Sequence, residues 1–544
     1  MALAVYSENI PVLCCYVLNR IILYGIEYIL FRSGSSAGRR LMGSEHNMVG
    51  FKLADSIRLG TWVAHSLAAI AFGIVSGAVA GCPEYTVERA QSVTVTPDEN
   101  LREVLRTVVS NTVVYLADGV YTVESNLQIT ADRITLRSSS GNRDGVILDG
   151  NGGAGSPLDR ERFVPEVIAI SGSDVHLVDI SVRHARDHAI HLYAPAEHSI
   201  SGCMLHNLHV YDCGEQLIKV NSNGNSSAPC WVDSGVLEGS LIEFTDNSVM
   251  EDMGDYFYTG GLDVHGGEGW IVRWNTFRNI EREGKLMEHA VHFWSRSRGS
   301  IVENNRFENC YRAIGFGMKQ APDGLVREYS DGAGEEPYLD HIDGIIRNNV
   351  IFNKAGVHLE TGIELMNVAS TGVYHNTVYS TDEPFNCIEY RWPDTRVVIV
   401  NNLTSHRIME RNDAQGELSG NVTGASASFF VDVSGGDVHL AAGATAAIDK
   451  GTAVPSDIAG TDIDGTVRGD RPDVGADEYG APDAVLQPLS AGRAALVVKD
   501  HRKMFELNGR VICRSPVAGK RRAVNGILLL GTKQGKTGTH LQLP

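Results

Sequence analysis

Positive charge is scarce in this 544-residue chain, which has 47 Lys and Arg against 66 Asp and Glu and a formal net charge of −19. This balance argues against binding to nucleic acid and against adsorption to anionic lipid through a charged surface. Cysteine is also sparse: nine are present, with no C-x-x-C pair and no zinc-type spacing. Nothing in the cysteines therefore indicates a zinc module, and we expect Cys310 and Cys387 to be small buried packing residues.

A long unbroken apolar run is missing from the first 47 residues. The stretch Ile10–Phe31 is interrupted by Asn19, Arg20 and Glu27, which makes it a poor transmembrane helix. We interpret residues 1–47 as an extension that precedes the true start at Met48.

An export signal follows Met48. The positive residues Lys52 and Arg58 precede the apolar segment Trp62–Ala80, and Val79-Ala80-Gly81-Cys82 closes it. These four residues resemble a bacterial lipobox, in which the cysteine is lipidated and becomes the new N-terminus. We expect residues 48–82 to be such a signal, with the protein in the bacterial cell envelope or outside the cell and any membrane contact through the lipid alone. An ordinary export signal or a retained anchor is the alternative.

Helical periodicity is absent from the middle of the chain, where a short unit recurs instead. Each copy has a β-branched apolar residue three places before an Asn. The copies are Val272…Asn275, Val302…Asn305, Ile346…Asn349, Val373…Asn376 and Ile399…Asn402, with a looser Phe244…Asn247 upstream and a truncated copy at Asn421. The Asn-to-Asn spacings are 28, 30, 44, 27, 26 and 19 residues. Units of this length predict a parallel β-helix, an all-β solenoid in which stacked amides form a ladder along the axis.

A second strand can be aligned in each unit, with apolar residues on both sides of one central position. Alternate side chains of a strand take opposite faces, so the central residues are predicted to face outward. This inner row reads His191, Lys219, Asp263, His292, Gly315, Glu364, Glu389. Two positions on lies a second outward set: Tyr193, Asn221, His265, Trp294, Gly317, Met366, Arg391. Histidines, carboxylates and aromatic rings indicate a groove for an extended ligand; charges that only keep a β surface soluble are the alternative.

The opening of the repeat region carries a family resemblance. Leu101–Val109 is predicted to be a short helix with Asp98 as a possible cap, and Ala117-Asp118-Gly119-Val120-Tyr121 begins the strands. This resembles secreted right-handed parallel β-helix proteins of the pectin-lyase-like group over roughly Pro97 to Tyr479. The resemblance implies that the helix caps the first coil. The group includes lyases, hydrolases, esterases and noncatalytic surface proteins, so it does not fix the activity.

Known catalytic signatures of that group are missing. The chain has neither the polygalacturonase-like set, nor the Trp-Ile-Asp-His strand of pectate lyases, nor the Asn-Lys-Ser element of alginate and chondroitin lyases. An enzyme acting on polysaccharide, a lyase or a glycoside hydrolase, is favoured over a noncatalytic glycan-binding or structural surface lipoprotein. We expect a monomer with polysaccharide as its partner.

The inner row supplies the candidate chemistry. Lys219, Asp263 and His292 fall on successive coils, and we expect them to be catalytic. His or Lys would be the base in β-elimination from a uronate, with a cation neutralising its carboxylate. His191, Tyr193, His265, His289, Trp294, Glu364, Glu389 and Arg391 are assigned to substrate binding. The adjacent Glu364 and Glu389 also suit a retaining glycosidase, a Ca²⁺ site or a salt bridge with Arg391.

The remaining segments complete the predicted organisation. Residues 83–96 are interpreted as a linker, 97–425 as the β-helix, 426–480 as a closing cap and 481–544 as a poorly ordered basic tail. The insertions Asn221–Ser234 and Lys319–Asp343 begin just after outward strands and are predicted to rim the groove. Closely spaced carboxylates in Asp462–Tyr479 are expected to cap turns, with Ca²⁺ binding as the alternative.

Overall fold

The computed structural model describes residues 81–151, 158–222, 228–245, 256–282, 286–322 and 324–480, together with the backbone of four short strands beyond 480. The extension at 1–47 and the signal up to residue 80 lie outside the described residues. Among the residues that are described, no helix is both long and apolar enough to cross a membrane.

Three parallel sheets form the described β-helix, and a complete coil contributes one strand to each sheet in the order A, B, C. The first coil contributes a strand to sheet A alone, and the last coil contributes to sheets A and B. Sheet A contains Gln91–Val95, Thr112–Leu116, Ile134–Ser138, His176–Val178, Met204–His206, Val236–Glu238, Ile271–Arg273, Ile301–Glu303, Ile345–Arg347, Thr371–Tyr374, Arg396–Val400 and Gln415–Ser419. Sheet B contains Gly119–Thr122, Val146–Asp149, Ser181–Arg183, His209–Tyr211, Leu241–Glu243, Thr276–Arg278, Arg306–Glu308, Val350–Asn353, Thr377–Ser380, Leu403–Thr404 and Val422–Thr423. Sheet C contains Leu127–Ile129, Val164–Ile170, Ala185–Tyr193, Gln216–Asn221, Gly260–His265, His289–Trp294, Arg312–Phe316, Thr361–Met366, Asn386–Arg391 and Ile408–Arg411.

The minor elements lie in turns and at the ends. Two-residue strands pair in parallel at Ile200–Ser201 with Val232–Asp233, at Tyr256–Phe257 with Leu286–Met287, and along Ser297–Arg298, His341–Ile342 and Val368–Ala369. In the described part of the chain the α-helices are Leu101–Thr107 and Ser456–Ala459, and single 3₁₀ turns form at Arg143–Gly145, Arg160–Arg162 and Ala427–Phe429. The fold is a right-handed parallel β-helix, as the sequence predicts.

The first coil begins earlier than expected. Gln91–Val95 pairs in parallel with Thr112–Leu116, so the segment interpreted as a linker already contributes a strand to sheet A. The helix that follows ends at Thr107, and Leu101 and Leu105 are buried in the core. Its N-cap is Asn100, whose side chain accepts a hydrogen bond from the Glu103 N–H, rather than Asp98.

The asparagine ladder fixes the turn between sheets A and B. From Asn305 to Asn421 each side-chain oxygen accepts the backbone N–H and the amide N–H of the ladder Asn one coil before it, at 2.9–3.0 Å. The residue before each of the first five ladder amides is in the left-handed region, with φ between 52° and 59°. These residues are Trp274, Asn304, Asn348, His375 and Asn401. An Asn-Asn pair therefore supplies both a residue that tolerates positive φ and a ladder amide.

The ladder extends upstream through a different residue than the sequence suggested. Leu237 pairs with Val272, so Ser240 rather than Asn247 occupies the ladder position. Its N–H donates to Asn275 Oδ1 at 2.9 Å, and Gly239 before it supplies the positive φ of 63°. Asn247 itself lies outside the described residues.

The predicted core positions are inside. Val272, Val302, Ile346, Val373 and Ile399 are successive Cα partners in sheet A, and all have 0 % exposure. Cys310 and Cys387 are free thiols buried in the same core, as predicted. Burial of each such aliphatic side chain contributes roughly 1.5–3 kcal/mol, so the stack is held mainly by its apolar centre.

The segment 426–480 does not close the end of the stack. Its apolar residues pack on outward-facing Phe352, Tyr379 and Leu403 of sheet B, while strand Gln415–Ser419 at the end of sheet A is exposed along its length. The predicted capping of turns is found: Asp462 accepts backbone N–H groups from Asp464, Thr466 and Glu478. This segment also contains the antiparallel pair Phe430–Asp432 with Asp437–Leu440.

Within residues 481–544, interpreted as a poorly ordered tail, the described backbone forms two antiparallel strand pairs. They are Lys503–Phe505 with Val511–Cys513, and Gly531–Gln534 with Thr539–Gln542. The rest of that segment lies outside the described residues.

An interior rung of the ladder should matter more than its last rung. Asn349→Ala removes both the acceptor of two Asn305 N–H groups and the donor to Val302 O and Asn376 Oδ1, so we expect roughly 3 kcal/mol loss in the free energy of unfolding. Asn421→Ala, at the half-buried end of the ladder, should lose about 1 kcal/mol. Urea unfolding measures both losses. Equal losses would contradict the expectation that an interior amide of the ladder stabilises the fold more than the last amide.

Candidate functional site

The inner row occupies one continuous line across sheet C. Successive Cα partners are His191, Lys219, Asp263, His292, Gly315, Glu364 and Glu389, so the alignment made from the sequence matches the strand register. The second set is adjacent, with Tyr193 beside Asn221, His265 beside Trp294, and Met366 beside Arg391. Both sets face away from the core, because the Ile, Leu and Val residues between them are buried inside the coil.

The inner row is not an open groove. Lys219, Asp263, His292 and Glu364 are 3–5 % exposed and Glu389 is 0 % exposed, because these side chains pack on one another and on their neighbours. In the second set Tyr193, Asn221, His265, Trp294 and Arg391 remain half-buried. We call these five residues the surface stripe.

The centre of the site is a buried ion pair beneath the half-buried imidazole of His265. Lys219 Nζ bonds Asp263 Oδ2 and donates to Tyr258 Oη at 2.9 Å. His265 Nε2 lies 2.9 Å from Lys219 Nζ and 3.0 Å from Asp263 Oδ2. Trp294 Nε1–H donates to the other carboxylate oxygen of Asp263 at 2.8 Å, so every oxygen of that carboxylate is engaged.

The charges in this pair stabilise each other. Burial acts to raise the pKa of Asp263, but the Lys219 ammonium and the His265 imidazole outweigh it and hold that pKa well below its usual range. Burial acts to lower the pKa of Lys219, and Asp263 reverses this so that the pKa is raised. Lys219 is therefore an ammonium ion at neutral pH and does not suit the role of a base.

His292 has a different position from the one expected of a proton acceptor. Its Nε2–H donates to Gly317 O at 3.2 Å, and its Nδ1 lies 3.8 Å from both Asp263 Oδ1 and Glu288 Oε2. The ring stacks parallel to Trp294, with centroids 5.6 Å apart. Burial and the neighbouring His289 lower the pKa of His292, so it is neutral, but at 3 % exposure it does not reach a polymer on the surface.

Glycine in the inner row has a packing reason. The His289 ring lies over Gly315, where an added Cβ would come 2.7 Å from His289 Nε2. The imidazole crosses that coil and donates to Glu364 Oε2 at 3.0 Å. Burial acts to lower the pKa of His289, but its contacts with Glu288 and Glu364 outweigh burial and raise that pKa. Burial acts to raise the pKa of Glu364, but the contact with His289 is the chief reason that this pKa falls to about 2.

Glu364 and Glu389 are surrounded by guanidinium groups. Arg391 Nη1 lies 3.9 Å from Glu364 Oε1 and 3.6 Å from Glu389 Oε1, and Arg411 Nη1 donates to Glu389 Oε1 at 2.7 Å. Burial raises the pKa of Glu389, but the carboxyl has no exposed surface through which to protonate a sugar oxygen. For Glu364 and Glu389, a salt bridge with Arg391 therefore fits the geometry better than the acid and nucleophile of a retaining glycosidase.

The other end of the row is also paired. His191 Nδ1 lies 2.5 Å from Glu166 Oε1 and Nε2 lies 3.1 Å from Asn221 Oδ1, with the Tyr193 ring next to it at 5.4 Å between centroids. The structure thus brings all the predicted residues onto one face, but divides them into three bonded groups around His191, Asp263 and Glu364.

The larger insertion borders the site. Arg327 donates to Gly266 O at 2.8 Å, directly after His265, and its guanidinium bonds Asp233 at the opposite insertion. The Lys319 ammonium lies 4.6 Å from the centre of a Trp294 ring. The rim predicted for Lys319–Asp343 is therefore present beside His265 and Trp294; residues 223–227 of the other insertion lie outside the described part.

Several site residues were missed from the sequence. Tyr258 precedes its strand, and Arg312 and Arg411 lie outside the aligned positions, although Arg312 Nε donates to Glu360 Oε2 at 2.8 Å next to Glu364. Glu288 had a usable signal, since the run Glu-His-x-x-His places it directly before the two strand histidines.

Cys82, the predicted lipidation site, is also described. Its Sγ lies against Gly239 and 3.9 Å from His206 Nδ1, and burial raises the pKa of the thiol to about 12.

Gly315→Ala tests the crossing of His289 over its coil. The methyl group would displace the imidazole from Glu364, so we expect a loss of roughly 1–3 kcal/mol in the free energy of unfolding. A matched control is Gly332→Ala, which meets no atom within 4 Å but has positive φ; its smaller backbone penalty, about 1 kcal/mol, sets the reference. An unchanged unfolding curve for Gly315→Ala would contradict the packing described.

Comparison with known proteins is consistent with this architecture. Residues 166–404 match the family model described as "Right handed beta helix region". No curated protein matches the chain by sequence.

Solved structures resemble it at low identity. Pectate lyase Pel9A is 14 % identical with a TM-score of 0.42, over 72 % of this chain and 97 % of that one. An alginate lyase from Paenibacillus sp. str. FPU-7 is 15 % identical with a TM-score of 0.38, over 62 % and 99 %. PfbA, a surface adhesin of Streptococcus pneumoniae, is 10 % identical with a TM-score of 0.33, over 57 % and 82 %. Such values carry no argument about activity. By its own coils the chain has the right-handed parallel β-helix fold, and residues 166–404 match the family model of that region.

Proposed function

We propose that this protein binds a uronate-containing polysaccharide along the surface stripe and cleaves it by β-elimination, with His265 as the proton-transferring residue. The observation that carries the proposal is the His265 imidazole, 22 % exposed and held by a buried ion pair, with Nε2 at 2.9 Å from Lys219 Nζ and 3.0 Å from Asp263 Oδ2.

The stripe has the dimensions and chemistry of a polymer site. It runs over seven coils from Tyr193 to Arg391, roughly 29 Å at the usual spacing between strands. The flat rings of Tyr193 and Trp294 suit the apolar faces of sugars. Arg391 and Lys319 bring positive charge to this face although the whole chain is acidic, which suits a polyanionic glycan.

His265 Nε2 can bond this pair in two ways, depending on which ring nitrogen carries the proton. In one arrangement Lys219 donates to Nε2, and in the other Nε2–H donates to Asp263 and leaves a lone pair on Nδ1. In the second arrangement Asp263 orients the ring as a carboxylate orients a catalytic histidine. His265 then accepts the C5 proton of a uronate, the electron pair forms the C4=C5 double bond, and the C4–O4 bond breaks. The proton on the imidazole is then available to the leaving O4. The Lys319 ammonium lies over Trp294, where its positive charge would balance the negative charge of the substrate carboxylate.

The test is an absorbance assay for unsaturated uronate products on a panel of uronate and neutral polysaccharides. On the substrate that is cleaved, His265→Gln and Asp263→Asn should each lower kcat by about 10²-fold or more, with KM changed only a few-fold. The control is His209→Gln on sheet B, whose imidazole is similarly exposed and bonds Glu243 at 2.8 Å. Full turnover in His265→Gln, or no unsaturated product from any uronate, would overturn the proposal.

A second candidate is noncatalytic glycan binding. The observation that favours it is that Lys219, Asp263 and His292 are all nearly buried and bonded to neighbouring groups. A binder would retain the polymer on the stripe without forming any product, and Trp294→Ala would abolish retention.

We also propose that the mature chain begins at lipidated Cys82, which rests on the order of charged, apolar and small residues that ends there. Cys82→Ser should block labelling with radioactive palmitate and move the protein from the membrane to the soluble fraction. Cys230→Ser, a half-buried cysteine remote from the signal, is the control. Unchanged labelling in Cys82→Ser would refute the assignment.

A further inference from the structure

We propose that Glu288, His289 and His292 form a binding site for a divalent transition metal ion such as Zn²⁺. The site lies beneath the surface stripe and is separate from the His265 chemistry of the proposed function. One carboxylate oxygen and one ring nitrogen from each histidine converge within 4.8 Å of one another.

The distances fit ligands that share an ion. Glu288 Oε2 lies 3.8 Å from His289 Nδ1 and 3.8 Å from His292 Nδ1. A direct hydrogen bond would bring these atoms to about 2.9 Å. Two ligands of a tetrahedral zinc ion lie roughly 3.4 Å apart when each bond is about 2.1 Å long. Each histidine Nδ1 is thus within about half an ångström of the separation from Glu288 Oε2 that a shared ion needs, and the three ligand atoms lie within 4.8 Å of one another.

The strand explains why two histidines three residues apart face the same way. Ala290 and Val291 between them are both fully buried in the coil, so the regular alternation of side chains is interrupted. His289 and His292 therefore both leave the core on the outer side, where their ring centroids are 4.6 Å apart.

Each histidine is oriented through its other nitrogen. His289 Nε2–H donates to Glu364 Oε2 at 3.0 Å, and His292 Nε2–H donates to Gly317 O at 3.2 Å. Both Nδ1 atoms therefore face Glu288, and an ion bound there would take the place of a proton on Nδ1. Histidines that bind metals are commonly held in this way, with the second ring nitrogen on a carboxylate or a backbone carbonyl.

An unsatisfied polar atom points into the site. His289 is 3 % exposed, and its Nδ1 is buried without a hydrogen-bond partner. Buried polar atoms normally have a hydrogen-bond partner, and a bound metal ion would supply the missing partner of this nitrogen. A set of two imidazoles and one carboxylate suits Zn²⁺ or Co²⁺ and does not suit Ca²⁺, which prefers six to eight oxygen ligands.

The alternative is that a protonated His289 holds Glu288 and Glu364 without any ion. In that arrangement Nδ1 stays 3.8 Å from Glu288 Oε2, so the two groups attract each other by charge but Nδ1–H forms no hydrogen bond. It also assigns no role to the second Nδ1, on His292, that faces the same carboxylate oxygen.

The experiment is metal uptake by the whole protein after treatment with EDTA, in the absence of any glycan. Calorimetry with Zn²⁺ gives stoichiometry and affinity, and visible absorption of Co²⁺ reports nitrogen and oxygen coordination. Glu288→Gln, His289→Gln and His292→Gln should each remove one equivalent or weaken it at least 10-fold. Glu364→Gln, which changes the outer partner of His289 and also removes the charge that faces Arg312 and Arg391, should weaken binding by roughly 10-fold.

His209→Gln is again the matched control, because its ring lies between Glu243 and Asp144 in ordinary contacts on another sheet, and it should retain full uptake. Circular dichroism identifies any variant that does not fold; Glu288→Gln, nearly isosteric, is the variant on which the proposal rests. Equal stoichiometry and affinity in wild type and Glu288→Gln, or no uptake by the wild type, would overturn it. Because no polysaccharide is present, these outcomes are independent of the elimination assay.

Discussion

Stacking of coils in a fixed register is the constraint on which the rest of this molecule depends. The amide ladder from Asn275 to Asn421 bonds each coil to the next through side chain and backbone together, at one corner of the cross-section. A slip of one residue would turn the apolar Val272 series outward and expose the core. The hydrogen bonds of the ladder and the packing of the core therefore favour the same alignment of the coils.

That alignment also builds the site. Sheet C repeats the position of one outward side chain on every coil, at about the spacing at which charged groups can bond directly. Lys219 meets Asp263 for this reason, although they are 44 residues apart in sequence. His289 and Glu364 lie on coils that are not adjacent. Gly315, on the coil between them, has no side chain, so the His289 ring can cross that coil and bond Glu364. The result is a buried charged network with only its upper layer, the surface stripe, in contact with solvent.

Much of this could be predicted from the sequence, because a repeat converts linear spacing into spatial position. The core series, the inner row and its order all follow from the offset to the ladder. The exposure of the row could not be predicted, since it depends on residues outside the repeat: Tyr258 and Arg327 arrive from irregular segments. The same limit explains two wrong positions. Ser240 replaces an amide in the ladder, and the segment 426–480 packs on the side of sheet B because Phe352 and Tyr379 make that outer face apolar.

The central claim is that the register of sheet C assembles one functional face along the axis. The most direct measurement is a crystal structure of the protein with a bound uronate oligosaccharide. We expect the sugar chain to lie parallel to the helix axis over Trp294, with His265 next to C5 of one uronate and Arg391 facing a carboxylate further along. An oligosaccharide bound on sheet A or sheet B, or a sheet C in which Asp263 is not paired between Lys219 and His292, would contradict the account.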